Sequence, residues 1–288
     1  MSSKKQQIES IRSKQDLINF YFDRLKLITL NRFKWLGIDE VCGFGAEYFI
    51  EQILFRSNKV CFFKDKNIGY VLTDFNFNGN LNIYYMPTYI QPLSGTTGYY
   101  FPRLSLDDCC IMFNTNNFQP LYFYCLFYAK KLAELQLTAD INMANMRMPI
   151  LIEGNKQSLL AMQNIWQKIE SGQPAVYANR DFDINSKLNV LKTDAPYLID
   201  KLEVEKNILI NEYLTLIGVN NANLDKKERQ ITSEIESNNE QIRFYLNSYL
   251  EPRQKFAKMI NDKYFNGDEK IKIEINKGDF DERLYNFN

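Results

Sequence analysis

The sequence predicts an α+β protein, and three observations carry that prediction. Two long segments, about 120–148 and 195–217, repeat apolar residues at helical spacing. Between Lys59 and Asn114 the chain instead shows short aromatic or β-branched runs separated by Asn, Gly, Pro and Asp. A late segment, Glu269 to Asn276, alternates Lys or Glu with Ile, the two-residue period of a strand with one face covered.

Taken in order, Lys14 to Trp35 is predicted helical, with Leu17, Phe20, Tyr21, Leu25, Leu27, Ile28 and Phe33 on the periodic positions and Gly37 at the stop. A short helix, Ala46 to Arg56, follows the turn at Gly43–Gly45. The runs KVCFFK, IGYVLTD, LNIYYM, GYYFPRL and CCIMFN are read as a small antiparallel sheet or barrel, with NFNGN (Asn76 to Asn80) as a hairpin turn. Pro120 opens a long helix that Pro149 closes. Its first turns, Leu121 to Tyr128, are apolar on every side, so they need cover on every side, from a large core or from neighbouring subunits.

A β-α-β unit comes next: PILIEG as a strand, Gln157 to Ile169 as a helix, AVYAN as a strand, with LNVLK (Leu188 to Lys192) as a further strand. Asp194 or Pro196 starts the second long helix, and Gly218 ends it. Residues 218–240 lack apolar periodicity and are rich in Asn and charge, which predicts a long polar loop. Gln241 to Phe265 is helical with a break or new start at Pro252, and the Ile-alternating strand is expected to join the early sheet.

Composition excludes much chemistry. Among 288 residues there is no histidine, which removes the usual general base near neutral pH, Ser-His and Cys-His nucleophile pairs, and the commonest metal ligand. The five cysteines are odd in number and have no CxxC spacing, so free core thiols are expected, with no metal centre and no cofactor. No GxxxxGK[ST] occurs, so any ATP hydrolysis belongs to another protein. Lys plus Arg and Asp plus Glu are equal at 35 each. The polar N-terminus carries no secretory signal, and the longest apolar run, Leu121 to Ala129, is about half a membrane span.

From Lys192 onward, LKTDAPYLIDKLEVEKN, LTLIGVNNANLDKKERQITSEIESNNEQI and MINDKYFNGDEKIKIEI resemble the portal protein (upper collar, or head-tail connector) of small Picovirinae-type, phi-twenty-nine-like podophages. The resemblance continues upstream in the same order through AKKLAELQ with MPILIEG, NIWQKIESGQPAVYANRDF and KVCFFKDKNIGY. It implies a portal fold: a β-rich wing with an SH3-like barrel (1–117 and 241–288), stem helices (118–148 and 195–217), an α/β clip (149–194) and a channel loop (218–240). It implies no catalysis. It implies a homo-oligomeric ring, a dodecamer, at the portal vertex or neck of the virion, assembled after synthesis in the host cytoplasm. Double-stranded DNA would pass through the ring. The expected partners are a packaging ATPase, lower collar and tail proteins, and the major capsid and scaffold proteins, with no membrane.

The resemblance places channel-facing cations at Lys192, Lys201, Lys226 and Lys227, with Arg229 beside them. A wall of cations alone would hold DNA phosphates and oppose sliding. The stretch 191–230 mixes Lys192, Lys201, Lys206, Lys226, Lys227 and Arg229 with Asp194, Asp200, Glu203, Glu205, Glu212, Asp225 and Glu228. The ordinary reading of any one lysine is a solvated charge or an i,i+4 pair such as Lys201–Glu205. The N-terminal cations Lys4, Lys5, Arg12 and Lys14 are interrupted by Glu9 and read as a solvated tail. Two other functions fit less of the chain: a non-ring nucleic-acid-binding module, and a metal-dependent nuclease using Asp107–Asp108 or Asp181 and Asp183.

Overall fold

A computed structural model describes residues 2–95, 99–146, 150–152, 188–190, 196–221 and 232–276, with side chains for 14–95, 99–143, 146, 196–221 and 238–276. The chain divides into two compact units, Met1–Ala133 with Lys206–Asn288, and Glu134–Glu205. In the first unit, α1 (Ser2–Leu30) leads into β1 (Phe33–Leu36). The first helix thus ends earlier than its apolar spacing predicts, and the N-terminal arm expected as a solvated tail forms its opening turns. Phe33 and Trp35 are buried while Lys34 is exposed. That alternation suits a strand, and pairing with β10 (Lys272–Ile275) fixes it, with Trp35 opposite Ile273. The Ile-alternating strand therefore joins β1 and not the early sheet.

After α2 (Ile38–Cys42) and α3 (Ala46–Ser57) come six strands: β2 (Lys59–Asp65), β3 (Gly69–Thr73), β4 (Phe75–Leu81), β5 (Pro87–Pro92), β6 (Leu104–Ser105) and β7 (Cys109–Phe113). They form two antiparallel three-stranded sheets, ordered β3-β2-β7 and β4-β5-β6. Successive side chains on a strand face opposite ways, and β2 is buried on both. Val60 and Phe62 join Ile50, Leu54, Met112, Phe256 and Ile260 in one core. Cys61 and Phe63 join Phe75, Ile90 and Phe101 in the other. Each fully buried Phe contributes about 1.5–3 kcal/mol, which is why KVCFFK is apolar without alternation.

The hairpin turn lies at Asn82–Met86, not at NFNGN. Asn82 Oδ1 accepts the backbone N–H of Tyr84 and Met86 at 2.9 and 3.0 Å, and Tyr85 takes a positive φ of 59°. Asn76 to Asn80 are strand residues. Gly79, at φ 76°, marks a register shift between Asn78 and Leu81, and a Cβ there would sit 3.1 Å from Thr88 Oγ1. A glycine within a strand commonly signals a bulge, and here the bulge is what the NG pair encodes.

The first long helix, α4, spans Leu121–Met146, running from the first unit into the second. In the second unit a short antiparallel pair follows, β8 (Ile150–Ile152) with β9 (Leu188–Val190). The expected helix 157–169 and the AVYAN strand lie outside the described residues. The second long helix, α5, is Ile199–Leu216. Asp194 is outside the described residues, and the start of α5 is held by Asn142 of α4, which donates to the Pro196 carbonyl at 2.9 Å and accepts the Leu198 N–H at 3.3 Å.

The last helix, α6, is Thr232–Tyr264 and passes through Pro252 without interruption. Proline inside a helix costs about 3 kcal/mol because it removes a hydrogen bond and crowds the preceding turn. Burial on both sides of it offsets that cost: Ile242 and Tyr249 before, Phe256, Ala257 and Ile260 after. Arg253, directly after the proline, makes a bidentate bond to Glu51 of α3, with Nε and Nη2 at 2.9 and 2.8 Å from its two oxygens. Residues 232–240, expected in the polar loop, are thus the opening turns of α6.

Candidate channel-loop and assembly surfaces

The polar segment begins at a point the sequence makes conspicuous, the glycine after α5. Gly218 has φ 72°, and a Cβ there would come within 2.5 Å of Leu246 Cα and N on α6. Both the left-handed backbone and the close approach need glycine. Gly218→Ala is therefore expected to lower unfolding free energy by about 2–4 kcal/mol, from left-handed strain plus overpacking. Denaturant unfolding checks this, and an unchanged midpoint would refute the packing described.

Three residues further on, Asn221 is buried and donates to the Asn211 carbonyl at 2.9 Å and to Thr215 Oγ1 at 2.8 Å. Its Oδ1 accepts from Asn238 Nδ2 on α6 at 3.0 Å. The two ends of the polar segment are thereby tied to each other and to α5. The C-terminal half of α5 is anchored in turn. The Tyr213 and Thr29 hydroxyls lie 2.5 Å apart, the rings of Tyr213 and Tyr128 meet edge to face at 5.4 Å, and Arg32 Nη1 donates to the Ile217 carbonyl at 2.5 Å. Burial pushes the Tyr213 phenol well above its ordinary pKa, so it stays neutral.

Of the residues expected to face a channel, Lys201 lies on α5 and is exposed, in a run with exposed Glu203, Val204 and Glu205. Among the described residues no ion pair joins Lys201 to Glu205. Lys192, Lys226, Lys227 and Arg229 lie outside the described residues. Sequence reasoning missed the Asn221–Asn238 tie; the density of Asn around Gly218 was the available signal.

The second surface belongs to α4. Leu121, Cys125, Ala129, Leu132 and Ala133 form its buried stripe, four-residue spacing that puts them on one side. On α1, the Phe22 carbonyl accepts from Cys125 Sγ at 3.5 Å, and the Phe22 ring lies 5.3 Å from that of Tyr122. The opposite side carries exposed aromatic rings in its first turns: Phe123 is 58% and Phe127 52% exposed. Soluble monomers seldom leave such residues clustered on one face. Phe20 and Leu27 of α1 and Val204 and Ile208 of α5 are also exposed.

Groups suited to chemistry are placed otherwise. Asp107 and Asp108 occupy the turn between β6 and β7, where their carbonyls accept from Lys263 Nζ and Tyr264 Oη. Asp181 and Asp183 lie outside the described residues. Among the described residues no three or more His, Cys, Asp or Glu gather where a cation would sit. The cysteines are free, and all but Cys42 are buried. Burial pushes the Cys109 thiol up to about 11 and that of Cys125 to about 12. Among the described residues no helix is long and apolar enough to cross a membrane.

Long helices joined to small antiparallel sheets make this an α+β fold. The chain is similar to one in the structure "Portal and tail of native bacteriophage P68", at 17% identity and a TM-score of 0.50, over 94% of this chain and 89% of that one. Weaker likenesses extend to an HK97-family phage portal protein from Corynebacterium diphtheriae, at 11% identity and a TM-score of 0.47 over 88% of this chain and 91% of that one. The neck of an empty GTA particle matches at 11% identity and a TM-score of 0.43, over 92% of this chain and 79% of that one. A family profile described as Phage Connector (GP10) matches residues 3–276, and the chain belongs to that family. Its function is that of a portal, or head-tail connector, at the portal vertex of a phage virion.

Proposed function

We propose that copies of this chain stand in a closed ring, a dodecamer, and that duplex DNA enters and leaves the capsid through its centre. The observation that carries this reading is the uncovered aromatic face of α4, with Phe123 and Phe127 more than half exposed opposite a fully buried stripe. In a cyclic ring each copy presents two different surfaces to its two neighbours, so a helix apolar on both sides is covered on both. The stem is assigned to 118–148 and 195–217, the wing to 1–117 and 241–288, and the clip, the narrow end meeting a packaging ATPase and later tail proteins, to 149–194. The capsid and scaffold meet the wide end.

The channel loop expected at 218–240 is narrowed to the stretch between Asn221 and Thr232, where α6 begins, and the Asn221–Asn238 hydrogen bond ties its two sides together. Lys226 and Lys227 fall within it, and ring symmetry turns each into a circle of cations beside equal circles of Asp225 and Glu228. Weak, repeated contacts with phosphate are the result, and the protein supplies a conduit without chemistry of its own. Lys201, exposed on α5, is assigned to the channel wall by its charge and exposure, and Lys192 by its charge alone.

The test separates assembly from transport. Lys226→Ala with Lys227→Ala is expected to give particles of unchanged mass that package or retain markedly less DNA. Loss of assembly would show that these residues lie between subunits, and full packaging would remove them from the channel.

A further inference from the structure

A cavity of about 660 Å³ opens between the residues after α5, the first half of α6 and the end of β10. Arg32, Asn220, Asn239 and Arg243 line it, and among the described residues no carboxylate does. Arg32 is only 5% exposed. Its guanidinium lies 4.5 Å from the Tyr249 ring centre and 5.1 Å from that of Phe33. Nε donates to the Thr29 carbonyl at 3.0 Å and Nη1 to the Ile217 carbonyl. Nη2 has no protein partner among the described residues. Nor is it sealed off, because the sealed side-chain atoms lacking partners are Gln52 Nε2 and Asn114 Nδ2. Since Arg32 lines the cavity, Nη2 is left to face it.

Charge points the same way. Arg32 and Arg253 are both buried, and among the described residues the one buried carboxylate near them, Glu51, is taken up bidentately by Arg253. One positive charge is left over in the interior, where burial, and after it Arg253, hold Arg32 down to about 10. A buried charge of this kind is costly unless something neutralises it. Arg243 adds a second cation at the exposed rim, and the amides of Asn220 and Asn239 add neutral donors with no protein partner among the described residues.

We propose that this cavity binds a phosphate group, with Arg32 Nη2 at its floor, Arg243 at its rim and the two asparagine amides completing the donor set. Guanidinium forks match oxyanions in geometry as well as charge. The cavity is wider than one phosphate, so the group is either free phosphate with water or a phosphodiester carried on DNA. The inference does not depend on the ring.

The experiment follows thermal unfolding of the full chain in increasing inorganic phosphate against chloride at matched ionic strength, using wild type and Arg243→Ala with Asn239→Ala. Both substituted residues are exposed, so the fold should be retained. Wild type is expected to show a saturable rise in Tm, and the variant the same Tm in chloride but an affinity weaker by about tenfold or more, the effect of one lost charge-assisted bond. Phosphate also stabilises proteins by exclusion from their surfaces; that effect does not saturate and is shared by both proteins, and finding it alone would overturn the site. A short duplex is then titrated against bound phosphate. Displacement assigns the site to the phosphodiester, and no displacement assigns it to the free ion. Particle mass in the same samples reports on assembly separately.

Discussion

Replacing Arg253 by methionine is expected to lower unfolding free energy by about 3–5 kcal/mol, the cost of leaving a buried charge without its partner. Arg253 is 1% exposed and Glu51 6%. Their bidentate bond joins α6 to α3 across 202 residues of sequence. Trp35 Nε1 donates to the same carboxylate at 2.8 Å, and Asn114 accepts from Arg253 Nη1 at 2.8 Å. Equilibrium urea unfolding reads the effect directly, and a loss below about 1 kcal/mol would place the pair in the class of weak surface bridges. Glu51→Leu combined with Arg253→Met should recover part of the loss, since neither charge then stays buried alone.

The same pair fixes a pH dependence. Burial alone would push the Glu51 carboxyl up, but Arg253 and the hydrogen bonds from Arg253 and Trp35 hold it below its ordinary value of 4.5. As pH falls through that ordinary value, the unfolded chain takes up the proton first, so stability falls with it. The contribution is fully present above about pH 4.5 and is lost progressively below. The Arg253→Met protein should lack this limb of the curve.

Phe123→Glu with Phe127→Glu is expected to abolish assembly while leaving the subunit folded. Both rings are more than half exposed, so the subunit loses little: the contact of Lys131 Nζ with the Phe127 ring at 4.7 Å, about 0.5–1 kcal/mol at an exposed site, and the edge-to-face contacts of Phe123 with Tyr122 and of Phe127 with Tyr128. In a ring each ring system would be buried at every interface, at about 1.5–3 kcal/mol apiece, and two carboxylates there would have no partner. Size-exclusion chromatography with circular dichroism separates the outcomes. Rings from the variant would show that α4 faces something other than a neighbouring copy.

Local signals were legible where they act locally. Pro120 and Pro149 bracketed α4, and Gly218 marked the end of α5, because proline and glycine constrain the backbone wherever they stand. Tertiary pairing decided the rest. Phe33 to Leu36 carries helical spacing from the preceding segment, yet β10, more than two hundred residues away, makes it a strand. The NG pair at Asn78–Gly79 has the composition of a turn, but the side chain of Asn82 closes the hairpin further on. Pro252 looks like a break because the Arg253–Glu51 bond that holds the helix through it has no local signature. The Arg32 cavity shares that property, its walls coming from the turn after α1, the residues after α5, α6 and the end of β10.

The central claim, that this chain completes its burial by standing beside copies of itself, is tested most directly by the mass of the purified particle at micromolar concentration across several salt concentrations. Light scattering coupled to size exclusion should give a single closed assembly of many 34.0 kDa subunits, seen by negative stain as a ring with a central hole. A stable monomer with no such hole would contradict it.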